Sequence, residues 1–304
     1  MAMRCRVSRA RGMLTRTLSF VAFGCLALAL VHAGHPTIVA NSPSPIVGEP
    51  IPGGALMIAG GGCVTAEVRE RFIALAGGSK SRIVVIPAID PPPGHEDDWL
   101  EPWRRHGAGR VELLNAQDAR AADDPAVCAR LARATGVWFS GGYQSLLAQR
   151  YVGTRVQACL KDVLRRNGVV GGCSAGAAIL SDVMIETGED TPVESRGLGL
   201  VNAIVDQHFL QRNRMWRMQQ MLEIHPELIG IGVDEGTALE VDLRTGRLKP
   251  LGESYSVVCV PRSDMHEPRI EVLKAGDEVS LSELRRNHLA YHPPIDTSLA
   301  SPPS

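Results

Sequence analysis

The residues best suited to chemistry in this chain lie in Gly172-Cys173-Ser174-Ala175-Gly176, a G-x-S-x-G run. It follows the apolar pair Val169-Val170 and opens the helix-like Ala177-Ala178-Ile179-Leu180. A serine between a strand and a helix sits on a sharp turn that lifts its hydroxyl above the sheet, as in a nucleophile elbow. Flanking glycines suit that turn, because side chains there would collide. Ser174 is therefore expected to be a nucleophile for acyl transfer. The Ala175 N–H, at the start of the helix, would face the developing oxyanion. A glycine-rich turn with a capping serine would spell the same five letters without chemistry; the strand–turn–helix context separates the two. Cys173 is the rival nucleophile. A thiol at the second position of an elbow points into the packing of its strand, so Cys173 is expected to be buried and inert.

A serine hydroxyl needs a base within hydrogen-bond reach. His208 ends the apolar Ala203-Ile204-Val205 after Asp206-Gln207, which is expected to place it at the same sheet edge as Ser174. The remaining histidines outside the leader lie in loops, tails or helix ends. A third group must orient the imidazole. Glu235, at the end of Ile229 to Val233, stands first, and Glu189 and Glu194 in the loop after the elbow compete with it. Gly141-Gly142 closes another strand-like run. The Gly142 N–H is a candidate second oxyanion donor, and Gln144 would reach into the same space. Arg212, Arg214 and Arg217 follow His208, the last two sharing a helical face, and guanidinium forks bind carboxylates bidentately. A guanidinium on the substrate would need acceptors, for which Asp206 and Gln144 are the candidates. His95-Glu96-Asp97-Asp98 follows Pro91-Pro92-Pro93-Gly94 and is expected to be a solvated loop, with no zinc or calcium spacing. No metal and no cofactor is expected.

These side chains need a sheet to bring them together. Short apolar runs bounded by glycine or proline recur at 55–58, 82–86, 111–114, 136–139, 169–170 and 229–233. Such runs suit strands buried on both faces. Stretches at 65–75, 125–134, 154–166 and 214–224 repeat apolar residues at three and four, the helical period. Strand–helix alternation predicts an α/β fold, a parallel sheet with helices on both faces, whose ligands gather at the carboxyl ends of the strands. After Ala238 the pattern changes to antiparallel strands, with turns at Arg244-Thr245-Gly246 and Ala275-Gly276-Asp277, a C-terminal antiparallel β extension.

The chain of 304 residues is 44% hydrophobic and 21% charged, with formal charge −1. That composition is globular, and no basic excess points to nucleic acid. Residues 1–33 carry five arginines and no acid, then the apolar run Leu18 to Val31 and the small-residue ending Val31-His32-Ala33. This predicts a signal peptide over 1–33, export to the periplasm or beyond, and no stable membrane association after cleavage. The remaining 271 residues would carry charge −6. A linker is expected over 34–52, one α/β domain over 53–292, and a disordered Pro/Ser tail over 293–304. Five cysteines remain after the leader, too widely spaced for a disulfide scaffold or a zinc site, and export permits one or two disulfides whose pairing spacing does not choose.

Taken together, Gly172-Cys173-Ser174-Ala175-Gly176-Ala177-Ala178, Leu198-Gly199-Leu200, Asp206-Gln207-His208-Phe209 with Arg212, Arg214 and Arg217, and Gly232-Val233-Asp234-Glu235-Gly236-Thr237-Ala238 resemble the serine peptidase family of cyanophycinase and peptidase E. The resemblance covers roughly Pro52 to Val260. It implies a class I glutamine-amidotransferase-like fold and an exopeptidase acting on cyanophycin, a poly-aspartate backbone with arginine on each β-carboxyl, releasing β-aspartyl-arginine. It carries nucleophile, base and third member onto Ser174, His208 and Glu235, and a substrate pocket onto Gln144, Asp206, Gln207, Arg212, Arg214 and Arg217. The family often has an acidic or amide residue where Tyr143 stands, and threonine where Cys173 stands. The alternatives are a secreted aspartyl dipeptidase and a non-enzymatic binding protein of the same fold. The partner expected is an aspartate- and arginine-bearing polymer or peptide, and a homodimer is compatible with this.

Overall fold

Apolar runs that must bury both faces become the strands of a central sheet. The computed structural model describes residues 53–262 and 265–284; the expected leader, linker and C-terminal tail lie outside them. In chain order, β1 (Ala55–Ala59) leads to α1 (Ala66–Leu75), β2 (Arg82–Ala88), α2 (Asp97–Arg105) and β3 (Arg110–Leu113). Then come α3 (Ala119–Ala122), α4 (Pro125–Leu131), β4 (Gly136–Gly142), α5 (Gln144–Tyr151), α6 (Arg155–Arg165), β5 (Val169–Cys173) and α7 (Ala175–Ala178). The second half holds β6 (Val183–Thr187), β7 (Val193–Arg196), β8 (Ile204–Gln207), α8 (Met215–Ile224) and β9 (Gly230–Val233). It ends with β10 (Thr237–Asp242), β11 (Arg247–Gly252), β12 (Tyr255–Arg262), β13 (Met265–Lys274) and β14 (Val279–Ser280).

The central sheet runs β14-β11-β10-β1-β5-β4-β2-β3. Its strands β1 to β5 are mutually parallel, and β10, β11 and β14 extend it antiparallel. Side chains alternate across it, as strand geometry requires. Leu56, Ile58, Val84, Ile86, Val137 and Phe139 enter one core; Met57, Ala59, Ile83, Val85 and Trp138 enter the other. The second core is closed by Phe72, Trp103 and Trp138, whose rings meet edge to face with centroids 5.1–5.3 Å apart. The helices begin where capping chemistry allows. Thr65 Oγ1 accepts from the Val68 N–H, and Asp124 accepts from the Ala126 N–H ahead of Pro125 in the first turn. Cys128 of α4 is disulfide-bonded to Cys159 of α6.

Two expectations change. The Ile229–Val233 and Ala203–Val205 runs do not join the central sheet. They form β9 and β8 of a second sheet, ordered β13-β12-β9-β8, in which β8 and β9 are parallel, β12 is antiparallel to β9, and β13 is antiparallel to β12. Apolar runs of this length look alike whichever sheet they enter, so only pairing separates them. His95-Glu96-Asp97-Asp98 is exposed as expected, yet Asp97 and Asp98 open helix α2, where two carboxylates favour the helix N-terminus.

Candidate active site

Ser174 stands at the end of β5 with φ 54° and ψ −116°, a conformation that costs a non-glycine residue about 1–3 kcal/mol. The surroundings hold it there. Its N–H donates to the Ala59 carbonyl of the neighbouring strand β1 at 3.0 Å. A side chain on Gly172 would put Cβ 2.1 Å from the Gly176 carbonyl oxygen, and one on Gly176 would meet the Phe139 carbonyl at 2.2 Å. Both glycines of the G-x-S-x-G run are thus required by close backbone approach. Cys173 is buried, and burial pushes its thiol up to about 12. It lies in the core under β1, as its place in the elbow predicted.

His208 comes from the other sheet. It follows β8 with φ 50°, and its N–H donates to the Gly60 carbonyl at 2.7 Å, which ties the second sheet to the end of β1. Its Nε2 lies 2.8 Å from Ser174 Oγ and its Nδ1 2.5 Å from Glu235 Oε1. With the ring proton on Nδ1, His208 donates to Glu235 and accepts from the serine hydroxyl. Burial lowers the imidazole pKa, the Glu235 hydrogen bond opposes that, and the cations Arg212 and Arg214 add to the lowering. The ring is therefore kept neutral and able to take a proton. Glu235 is more exposed than the histidine, and its N–H donates to Gln211 Oε1 at 3.1 Å. Of the competing carboxylates, Glu194 bonds His225 Nε2 at 2.6 Å, and Glu189 is exposed with Arg214 3.8 Å away. Neither is bonded to His208.

The structure also brings in residues that the sequence marked only as a strand end. Gly60-Gly61-Gly62 wraps the imidazole. A Cβ on Gly61 would fall 2.2 Å from His208 Cε1, and one on Gly62 would lie 3.4 Å from Glu235 Oε2. Asp234 is buried; its Oδ1 accepts from the N–H groups of Leu210 and Gln211, and its Oδ2 from the Ser254 hydroxyl. This fixes the turn that carries His208 against the one that carries Glu235. A glycine has no functional group to read, and the Asp234 carboxylate is tied to two backbone N–H groups and one serine hydroxyl that are distant in sequence. Its place beside Glu235 was the one available signal.

The expected substrate residues divide. Arg214 and Arg217, expected to hold substrate carboxylates, are buried, and both pair with Asp206, itself 1% exposed. Arg217 Nε donates to Asp206 Oδ2 at 2.7 Å and its Nη2 to Oδ1; Arg214 Nη1 donates to Oδ1 at 3.3 Å and to Gln207 Oε1. Gln207 Nε2 donates in turn to Gln144 Oε1 at 3.0 Å, and Gln144 Nε2 donates to the Ile185 carbonyl. Asp206 is therefore closed to a substrate guanidinium by its own arginines. Arg212 alone of the three is exposed, and its N–H donates to the His208 carbonyl at 3.1 Å. Ala175 is the first residue of α7, so its N–H has no acceptor within that helix. Gly141 lies against the nucleophile, its β-position 3.4 Å from Ser174 Cβ, while Gly142, with φ 149°, packs toward Ala88 and Ile89.

An elbow serine, a neutral histidine and a carboxylate in one hydrogen-bonded line at the carboxyl end of an α/β sheet are the machinery of a serine-type hydrolase. The chain belongs to peptidase family S51, whose model matches residues 56–248, and it is a serine-type peptidase of the cyanophycinase kind. It is 31% identical over 257 residues to the cyanophycinase of Synechococcus elongatus, covering 76% of this chain and 79% of that one. It is 32% identical over 237 residues to that of Trichormus variabilis, covering 74% and 78%. The crystal structure of a peptidase from an acI-B1 Actinobacterium shares the fold, with TM-score 0.60 and 22% identity over 75% of this chain and 97% of that one.

Proposed function

We propose that this chain is an exported serine exopeptidase that hydrolyses cyanophycin to β-aspartyl-arginine dipeptides through Ser174, His208 and Glu235. The observation that carries the mechanism is the unbroken line Ser174 Oγ–His208 Nε2 at 2.8 Å and His208 Nδ1–Glu235 Oε1 at 2.5 Å. His208 takes the serine proton as Ser174 attacks a main-chain carbonyl of the aspartate backbone. The resulting oxyanion is met by the Ala175 N–H and a glycine N–H of Gly141-Gly142. His208, now charged and steadied by Glu235, returns the proton to the leaving amine. Water then attacks the acyl-enzyme with His208 again as base, releasing the dipeptide and restoring the hydroxyl.

Arg212 is the exposed cation beside the imidazole and suits a substrate carboxylate. Arg214, Arg217 and Asp206 act one layer below, holding Gln207 and Gln144. The substrate assignment is supported by the cyanophycinases among the relatives, and export by the arginine-rich leader and its Val31-His32-Ala33 ending.

The test is purified protein lacking residues 1–33, incubated with insoluble cyanophycin and followed by mass spectrometry. Release of β-aspartyl-arginine, abolished in Ser174→Ala, supports the proposal. Cleavage of small aspartyl dipeptides with the polymer untouched would replace it with a dipeptidase. Export is tested separately by N-terminal sequencing of the secreted protein, with Gly34 as the expected first residue.

A further inference from the structure

We propose that Tyr143, with Ile89 beside it, is the platform on which the arginyl guanidinium of the substrate stacks, and so sets the preference for arginine. This rests on the substrate class above and names a residue that reads it. Strand β4 carries the chain past the nucleophile: Gly141 lies against Ser174, and Tyr143 is two residues further. The Tyr143 N–H donates to the Ala88 carbonyl at 3.2 Å, which fixes it next to the end of β2. A Cβ on Gly142 would lie 2.5 Å from Ile89 Cγ1, so Ile89 flanks the same turn. The two are 65% and 43% exposed, large apolar side chains turned to water at the rim of the site.

Tyr143 has no evident structural duty. It occupies the N-cap of α5, a position that favours Ser, Thr, Asp or Asn, and makes no side-chain capping bond there. Among the described residues its hydroxyl has no hydrogen-bond partner. The acceptors that the sequence offered a substrate guanidinium are already engaged. Asp206 is closed by Arg214 and Arg217, and Gln144 is bonded to Gln207 and to the Ile185 carbonyl. A planar cation left without those acceptors finds at Tyr143, the residue before Gln144, an exposed aromatic face, and guanidinium groups stack well on such faces.

The experiment measures KM and kcat on a soluble β-aspartyl-arginine oligomer and on the same oligomer bearing citrulline, which keeps the planar shape and removes the charge. Tyr143→Ala should raise KM for the arginyl oligomer about fivefold, with kcat within about twofold, and raise it less for the citrullyl one. Tyr143→Phe, which keeps the ring, should restore the arginyl KM. An unchanged KM in Tyr143→Ala overturns the platform, as does an equal rise on both oligomers. In either case a wild type that cleaves the arginyl oligomer leaves the proposed function standing. A wild type that does not cleave it overturns the substrate assignment, and the platform falls with it.

Discussion

Gly61 lies directly against the His208 imidazole, with room for a hydrogen and none for a methyl group: a Cβ there would fall 2.2 Å from Cε1. Its φ of 131° is also one that residues with a side chain rarely adopt. Gly61→Ala should push the ring away from Ser174 and lower kcat/KM by about 10²-fold or more, the usual consequence of displacing a catalytic group by an ångström. Gly62→Ala carries a similar backbone penalty, at φ 67°, but its Cβ would meet Glu235 Oε2 at a tolerable 3.4 Å. It should lose much less. Steady-state kinetics on the two variants, at matched thermal stability, separate loss of ring position from loss of fold; equal losses would say that the glycines matter only for the turn.

Ser174→Ala should lose about 10³-fold or more in kcat with an unchanged circular dichroism spectrum, since the nucleophile is removed and the elbow remains. Cys173→Ala is the informative control. The thiol is buried and its pKa is pushed up to about 12, far from a reactive thiolate. Cys173→Ala should keep activity within a few fold while losing some stability to the cavity it leaves. An inactive Cys173→Ala beside an active Ser174→Ala would reverse the assignment.

The pH profile carries a sign that can be worked out. Burial lowers the His208 pKa below its ordinary 6.5, so the neutral base persists into mildly acidic solution. kcat/KM should rise with pH and reach its plateau before the pH at which a free histidine would. The Glu235 hydrogen bond raises this pKa and Arg212 lowers it. Glu235→Gln should therefore move the acid limb further down while reducing kcat by about 10²-fold or more, as expected when the imidazole loses its orienting carboxylate. Arg212→Gln should move the limb up. Limbs that shift in the same direction in both variants, or no loss in Glu235→Gln beside a loss in Glu189→Gln or Glu194→Gln, would contradict this arrangement.

The elbow was legible from sequence because its requirements are local. Gly172, Ser174 and Gly176 are all set by one strand–turn–helix passage, and the close contacts of the two glycines say why no other residue serves. His208 and Glu235 were legible as strand-end residues, although the expectation of a common sheet was not met. They reach Ser174 because the turns that follow β8 and β9 of the second sheet are bonded to the glycines after β1, the His208 N–H to the Gly60 carbonyl and the Gly236 N–H to the Gly61 carbonyl. That joint is made of backbone, and glycines announce no partner. The arginines show the opposite failure. Arg214 and Arg217 read as holders of substrate carboxylates from their place after His208, and only the burial of Asp206 reveals that they are internal ions. Long-range pairing decides such cases, and i,i+3 spacing is silent about it.

That division of the arginines makes the last prediction. Asp206 is 1% exposed and is the carboxylate that Arg214 and Arg217 share. Removing its charge in Asp206→Asn leaves two buried guanidinium groups without their carboxylate, a change of the kind that costs about 3–5 kcal/mol. In a domain of this size that corresponds to a fall in Tm of about 10 °C. Arg217→Lys should also destabilise, because an ammonium cannot reproduce the paired bonds from Nε and Nη2 to the two carboxylate oxygens. Arg212 is exposed and outside this network, so Arg212→Lys should leave Tm within about a degree. It should instead raise KM about tenfold, the cost of losing one bidentate carboxylate contact. Thermal melts and kinetics on the three variants thus read different columns: stability for Asp206 and Arg217, substrate affinity for Arg212. If Asp206→Asn melts like wild type and only its KM rises, the aspartate contacts substrate after all, and the buried network is not what holds this part of the site.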